Sequence, residues 1–283
     1  MPYEAQLGAK VSILRDQLER IGKIESPPVK AIIPSPAAAN YRNHIQFHLT
    51  AEGRSGFQAP NAARIVPIRE CHLPEAGINE LWPQLEFEPG APFERISIRL
   101  GSGGDLLLVL ESAAGQPPEL ELEADISVVH LSGEDAVVLA GSDRTTIEIL
   151  GRPFRVSAAS FFQVNTRMAE KMVEHVSSIL PARLDKLLDV YCGVGLFSAF
   201  LAPRCSRLIG IEVSPSACDD FAANLDEFDH VELYEAAAED VLPGLQIEPA
   251  AALVDPPRSG LEKRALDALR EMNPGRIVYV SCD

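Results

Sequence analysis

Three stretches of this sequence carry side chains whose types and spacing could do chemistry together. Asp255-Pro256-Pro257-Arg258-Ser259-Gly260 follows a short apolar run, and Tyr279-Val280-Ser281-Cys282 closes another one soon after. A thiol at the end of a strand is either a small buried hydrophobe or, once deprotonated, a nucleophile. Two prolines after a strand can form a simple turn. They can also stiffen the backbone so that Asp255 stays at the carboxyl edge, where parallel sheets bind ligands. Asp189-Val190-Tyr191-Cys192-Gly193-Val194-Gly195-Leu196-Phe197-Ser198 is the third stretch. Gly193 and Gly195 allow a tight turn and the close approach of a ligand to the backbone. Ser198 stands where a dinucleotide fingerprint has its third glycine, which argues against a close-packed pyrophosphate. Glu212 ends the next apolar run, where an acid either faces solvent or accepts hydrogen bonds from ribose hydroxyls.

Regular elements must bring these groups together. Leu7, Val11, Leu14, Leu18 and Ile21 step by three and four, the spacing of one helical face. From Tyr41 the period becomes two, with Ile45, Phe47 and Leu49 alternating with polar residues. Further short strands are predicted at 96–100, 106–110, 128–131, 136–139 and 145–150, so this half reads as mainly antiparallel. From Thr166 onward, helices and strands alternate, which predicts βαβ units and a parallel sheet. The expected fold is α/β: a Rossmann-like parallel-sheet domain preceded by a mainly antiparallel α+β domain. The expected division is 1–155 and 156–283.

Composition narrows the classes. Apolar residues make up 46% and charged residues 23%, values of an ordinary globular protein rather than a disordered tail or coiled coil. No apolar run approaches the roughly 20 residues that span a bilayer, and no signal peptide is legible at the start. Five cysteines without a CxxC pair suit reduced thiols, so a cytoplasmic location is expected. With 25 Lys+Arg against 41 Asp+Glu, the formal charge is −16, which speaks against non-specific nucleic-acid binding. A local basic face could still hold a polyanion. Lys10, Arg15, Arg20 and Lys23 share the first helical segment, and Arg42, Arg54, Arg64 and Arg69 fall in the sheet region.

The order strand, D-x-x-x-G-x-G, helix, strand, Glu resembles the class I S-adenosylmethionine-dependent methyltransferases. D-P-P-R-x-G followed by Ile-Val-Tyr-Val-Ser-Cys resembles, more narrowly, the RNA uracil-C5 methyltransferase family, which makes 5-methyluridine in transfer and ribosomal RNA. The resemblance extends over most of the chain, through Tyr3-Glu4-Ala5-Gln6-Leu7, Tyr41-Arg42-Asn43, Gly56-Phe57, Ile68-Arg69-Glu70-Cys71 and Phe161-Phe162-Gln163-Val164-Asn165. It implies Cys282 as catalytic nucleophile. Gln163, Tyr191, Gly193, Gly195, Glu212 and Asp255 would be the S-adenosylmethionine contacts, with residues 1–155 as an RNA platform. It further implies an RNA partner, no membrane or DNA partner, and a monomer.

Departures from the family pattern set further expectations. Only Cys71 matches the four cysteines of the family's iron–sulfur members, so no metal site is expected. Leu196 stands at the position of an Asn in one branch's glycine loop, and Asp283 where the family has an Asn. The family's opening β-barrel and its downstream catalytic carboxylate have no counterpart, so a fragment shortened at both ends is expected. Two other readings stay open: an S-adenosylmethionine enzyme acting on a small molecule, and a non-catalytic chain that binds cofactor or RNA.

Overall fold

The computed structural model describes all residues except 61, 63, 114, 118, 120, 122, 134, 282 and 283. The chain opens with α1 (Tyr3–Arg20), whose apolar stripe is only half-buried at Leu7, Val11 and Leu18. Lys23 lies beyond its end, in a left-handed conformation.

A seven-stranded sheet follows. Its strands are β1 (His44–Leu49), β2 (Ser55–Gln58), β3 (Ile65–Pro67), β4 (Arg95–Leu100), β5 (Leu106–Ser112), β6 (Ser127–Ser132) and β7 (Asp135–Ala140). They lie in the order β3-β2-β1-β4-β5-β6-β7, antiparallel throughout except for the parallel pair β5–β6. Alternation places Ile45, Phe47, Ile96, Ile98, Leu108 and Leu110 on one face. There they pack on α2 (Ala76–Leu81) and on Trp82, whose ring centroid lies 5.2 Å from that of Phe47. The other face, with His44 and Arg99 as cross-strand partners, turns toward the second half of the chain.

A hairpin connects the halves. β8 (Arg144–Ile149) and β9 (Arg152–Ser157) are joined by Leu150 and Gly151, both at positive φ, the geometry of a two-residue hairpin turn. Ile147, Ile149, Phe154 and Val156 enter the same core as α3 (Thr166–Ile179). The alternation of β9 is masked in the sequence by Arg152-Pro153 at its start and by Arg155; a paired edge strand tolerates that proline.

The second sheet is parallel. β10 (Leu184–Val190), β11 (Cys205–Glu212), β12 (Val231–Glu235), β13 (Ala251–Val254) and β14 (Ile277–Tyr279) lie in the order β12-β11-β10-β13-β14. Helices α4 (Leu196–Leu201), α5 (Pro215–Asn224), α6 (Ala238–Val241) and α7 (Lys263–Met272) complete the alternation. One core lies with α3, α4 and α5, and a second with α6 and α7, so both sheet faces are covered. Burial on both faces is why these strands read as continuous apolar runs. The chain leaves β10 first toward β11 and β12, then returns to β13 on β10's other side. That reversal falls at the carboxyl ends of β10 and β13, the position at which doubly wound sheets bind ligands.

Candidate active site

The glycine turn is built at the end of β10. Tyr191 adopts φ +64, uncommon for a bulky residue, and the Tyr191 and Cys192 N–H groups both donate to the Ile211 carbonyl, at 2.9 and 3.1 Å. Gly193 and Gly195 follow at φ +54 and +89. They are not equivalent. A Cβ on Gly195 would lie 2.4 Å from Leu225 Cδ1 and 3.0 Å from Phe221, whereas one on Gly193 would meet nothing within 4 Å. Gly193→Ala is therefore expected to destabilise the fold by about 1–2 kcal/mol through backbone strain alone. Gly195→Ala adds an overpacking cost of roughly 1–3 kcal/mol. Urea titration of both variants checks the ranking; equal midpoints would contradict it.

Glu212 at the end of β11 ties this turn to the next one. Its Oε2 accepts the Gly193 N–H, and its Oε1 accepts those of Val213 and Ser214, all at 2.9 Å. Ser214 then caps α5, with Pro215 in the first turn. Glu212 thus shapes the glycine loop and is not merely a solvated strand-end carboxylate.

Asp189 was quoted in the sequence pattern but not singled out as a site residue. It is 1% exposed at the end of β10, and its Oδ2 accepts the Ser198 hydroxyl at 2.6 Å. Ser198, where the fingerprint would have glycine, pins α4 to the strand. Asp189 Oδ1 is buried with no hydrogen-bond partner among the described residues. The signal was available: an acid inside the apolar run Leu187-Leu188-Asp189-Val190 must have a use for its charge. Burial pushes its carboxyl up to about 7, with the charges of Asp255 and Glu212 adding to the shift and the Ser198 hydrogen bond opposing it.

Asp255 stands on the other side of the turn. Its N–H donates to the Val190 carbonyl at 3.2 Å, so the end of β13 is fastened to the end of β10. The prolines behind it form a turn closed by Gly260 N–H to the Pro257 carbonyl. Burial pushes the Asp255 carboxyl up to about 6, and among the described residues its side chain accepts no hydrogen bond. Tyr191 is half-buried, and burial together with Glu239 and Glu262 raises its phenol.

Gln163 precedes α3. That helix runs back to the start of β10, so Gln163 stands at the carboxyl edge as well. Its backbone carbonyl accepts Asn43 Nδ2 at 3.1 Å, and its carboxamide makes no hydrogen bond among the described residues. Tyr191, Gly193, Gly195, Glu212, Asp255 and Gln163 therefore share one edge of the parallel sheet. β14 reaches that edge beside β13, through Val254 opposite Tyr279. Cys282, the expected nucleophile, lies three positions further on and outside the described residues.

The acceptors left over at this edge suit a ligand carrying ribose hydroxyls, an amino group and positive charge. A ligand cation favours the ionised carboxylates. Asp189 and Asp255 hold protons in the folded protein that they have lost in the unfolded chain, so alone they lower stability as pH rises from about 4 through 6 to 7. Binding of S-adenosylmethionine is thus expected to tighten about threefold to tenfold between pH 6 and pH 8, with proton release. Calorimetry in buffers of differing ionisation heat measures both. A pH-independent affinity without proton release would contradict the assignment of these two carboxyls.

Comparison with known proteins agrees with this geometry. A family model described as tRNA (uracil-5-)-methyltransferase matches residues 121–248. An uncharacterized RNA methyltransferase of Chlorobaculum tepidum is 30% identical, covering 99% of this chain and 71% of its own length. Relatives described in the same words from Thermosynechococcus vestitus and Streptomyces coelicolor are each 29% identical over 99% of this chain; it spans 70% and 65% of their lengths. The crystal structure of Pyrococcus abyssi tRNA (uracil-54, C5)-methyltransferase, solved in complex with S-adenosyl-L-homocysteine, superposes with a TM-score of 0.75 at 24% identity. It covers all of this chain and 74% of that one, and shows that the two share a fold. The chain belongs to the RNA (uracil-5-)-methyltransferase family.

Proposed function

We propose that this chain methylates C5 of a uridine in transfer or ribosomal RNA, with S-adenosylmethionine as donor and Cys282 as covalent nucleophile. One observation carries the reading. Three carboxyls, Asp189, Glu212 and Asp255, flank a glycine turn at the sheet edge toward which β14 runs. When bound, S-adenosylmethionine supplies an electrophilic methyl group on a sulfonium. Glu212 is read as the ribose contact, Asp255 and Gln163 as contacts to the remaining polar groups, and Tyr191 as an apolar wall. Gly193 and Gly195 let the backbone approach.

C5 of uracil is a weak nucleophile. Addition of the Cys282 thiolate to C6 makes an enolate; C5 then takes the methyl group as its bond to sulfur breaks, and the sulfonium leaves as a neutral thioether. Loss of the C5 proton to a base re-forms the double bond and expels the thiolate, which is thereby regenerated. A uridine within folded RNA must be flipped out or already unpaired to reach the edge.

Residues 1–155 are read as an RNA platform and 156–283 as the methyltransferase domain. The protein is read as a monomer. Cys71, Cys192, Cys205 and Cys218 are free thiols, which supports a reducing, cytoplasmic setting. Among the described residues no helix is long and apolar enough to cross a membrane. The reading is tested by incubating the protein with labelled donor and unmodified RNA, then digesting the RNA to nucleosides. Labelled 5-methyluridine is expected; label in any other nucleoside overturns the assignment.

A further inference from the structure

We propose that Arg99 of the antiparallel sheet and Asp220 of α5 are positioning residues, clamping the turn 157–160 from opposite sides so that Gln163 faces the cofactor. The inference rests on the reading of Gln163 as a cofactor contact.

Asp220 is fully buried. Its Oδ2 accepts the Ser157 N–H at 2.7 Å and the Ser160 hydroxyl at 2.6 Å, and its Oδ1 accepts the Ser157 hydroxyl at 2.7 Å. Arg155 Nε forms an ion pair with Oδ1 at 2.8 Å. From the other side Arg99, 5% exposed, donates Nη1 to the Ser157 carbonyl at 2.8 Å and Nη2 to the Ser160 carbonyl at 2.6 Å. The carboxylate thus holds donors of the turn, and the guanidinium fork holds two of its carbonyls. Burial pushes the Arg99 guanidinium down to about 10, opposed by the Asp220 charge, so the fork still carries its positive charge at neutral pH.

Gln163 follows three residues after this turn. On its far side the strap is fastened again. Asn43 N–H donates to the Val164 carbonyl at 2.9 Å, and Asn43 Nδ2 donates to the Gln163 carbonyl at 3.1 Å and to Thr166 Oγ1 at 2.9 Å. Asn43 and Arg99 are themselves neighbours, since the Leu100 N–H donates to the Asn43 carbonyl. The segment 157–166 is therefore gripped by the antiparallel sheet at both ends and by the parallel-sheet half through Asp220. A disturbance at the β1–β4 junction reaches the Gln163 backbone through the hydrogen bonds of Asn43 on one side and through the clamped turn, three residues away along the chain, on the other.

Calorimetry with S-adenosylmethionine on four variants of the full chain tests this. Arg99→Lys keeps the charge but loses the fork, and Asp220→Asn turns a donor toward donors. Each is expected to weaken binding about tenfold. Ser160→Ala, which removes one hydroxyl and keeps the fold intact, should weaken it about threefold to tenfold. The decisive comparison uses Gln163→Ala as background. If the clamp acts through Gln163, the three substitutions there change affinity by no more than about twofold. Equal weakening with and without Gln163, or affinity untouched in the first series, overturns the clamp. Absence of S-adenosylmethionine binding by the unchanged protein would overturn the proposed function itself, and the clamp with it.

Discussion

Replacing Cys282 by serine is expected to abolish methyl transfer to RNA while leaving the affinity for S-adenosylmethionine within about twofold. A thiolate is a far better nucleophile than the neutral hydroxyl that serine offers at pH 7. Without attack at C6, C5 of the uracil stays too electron-poor to take the methyl group. Loss of a nucleophile of this kind costs on the order of 10⁴-fold or more in rate. The donor edge is formed by β10, β11 and β13 and does not depend on the thiol, so binding and turnover should separate cleanly. Donor affinity by calorimetry and label transfer to RNA measure the two halves. Turnover by Cys282→Ser within tenfold of the unchanged protein would remove the covalent mechanism.

The second large effect is expected at Glu212. Its two oxygens divide their work, Oε2 on the Gly193 N–H and Oε1 on those of Val213 and Ser214. An amide of the same shape must point its NH₂ at one of these donors, so Glu212→Gln loses at least one charge-assisted bond and sets a donor against a donor. Such a bond is worth about 1.5–3 kcal/mol. Weakening of S-adenosylmethionine binding by roughly 100-fold is expected, about 3 kcal/mol. The effect combines a displaced Gly193 with a poorer ribose acceptor. An affinity within threefold of the unchanged protein would show that the glycine turn holds its shape without the carboxylate.

The elements around this edge were legible for a physical reason. Strands β10, β11 and β13 are buried on both faces, so their apolar runs stand out, and the positive-φ positions after β10 demand glycine at Gly193 and Gly195. Glu212 and Asp255 could be placed because each ends such a run. What could not be read were the functions that depend on partners distant in sequence. Glu212 was expected to serve a ribose, yet its first partners are backbone N–H groups of two different turns. Asp220 lies inside a helix, and Ser157, Ser160 and Arg155 approach it only through the tertiary fold. The stripe of α1 was legible as a helix from its periodicity, and the structure forms that helix with no residue of it buried. β9 was hidden because Arg152, Pro153 and Arg155 interrupt the alternation that a paired edge strand still permits.

The covalent step is the centre of the account, and trapping it is the most direct measurement. With fluorine in place of the C5 hydrogen, the proton that must leave C5 is absent, so an adduct formed through C6 cannot resolve. Transfer and ribosomal RNA transcribed with 5-fluorouridine would be incubated with the protein and labelled S-adenosylmethionine, then run on a denaturing gel. The expected result is a labelled band at the combined mass of protein and RNA, present with the unchanged chain and lost in Cys282→Ser. Methylation of ordinary RNA with no such band on the fluorinated RNA, or a band that persists in Cys282→Ser, would contradict it.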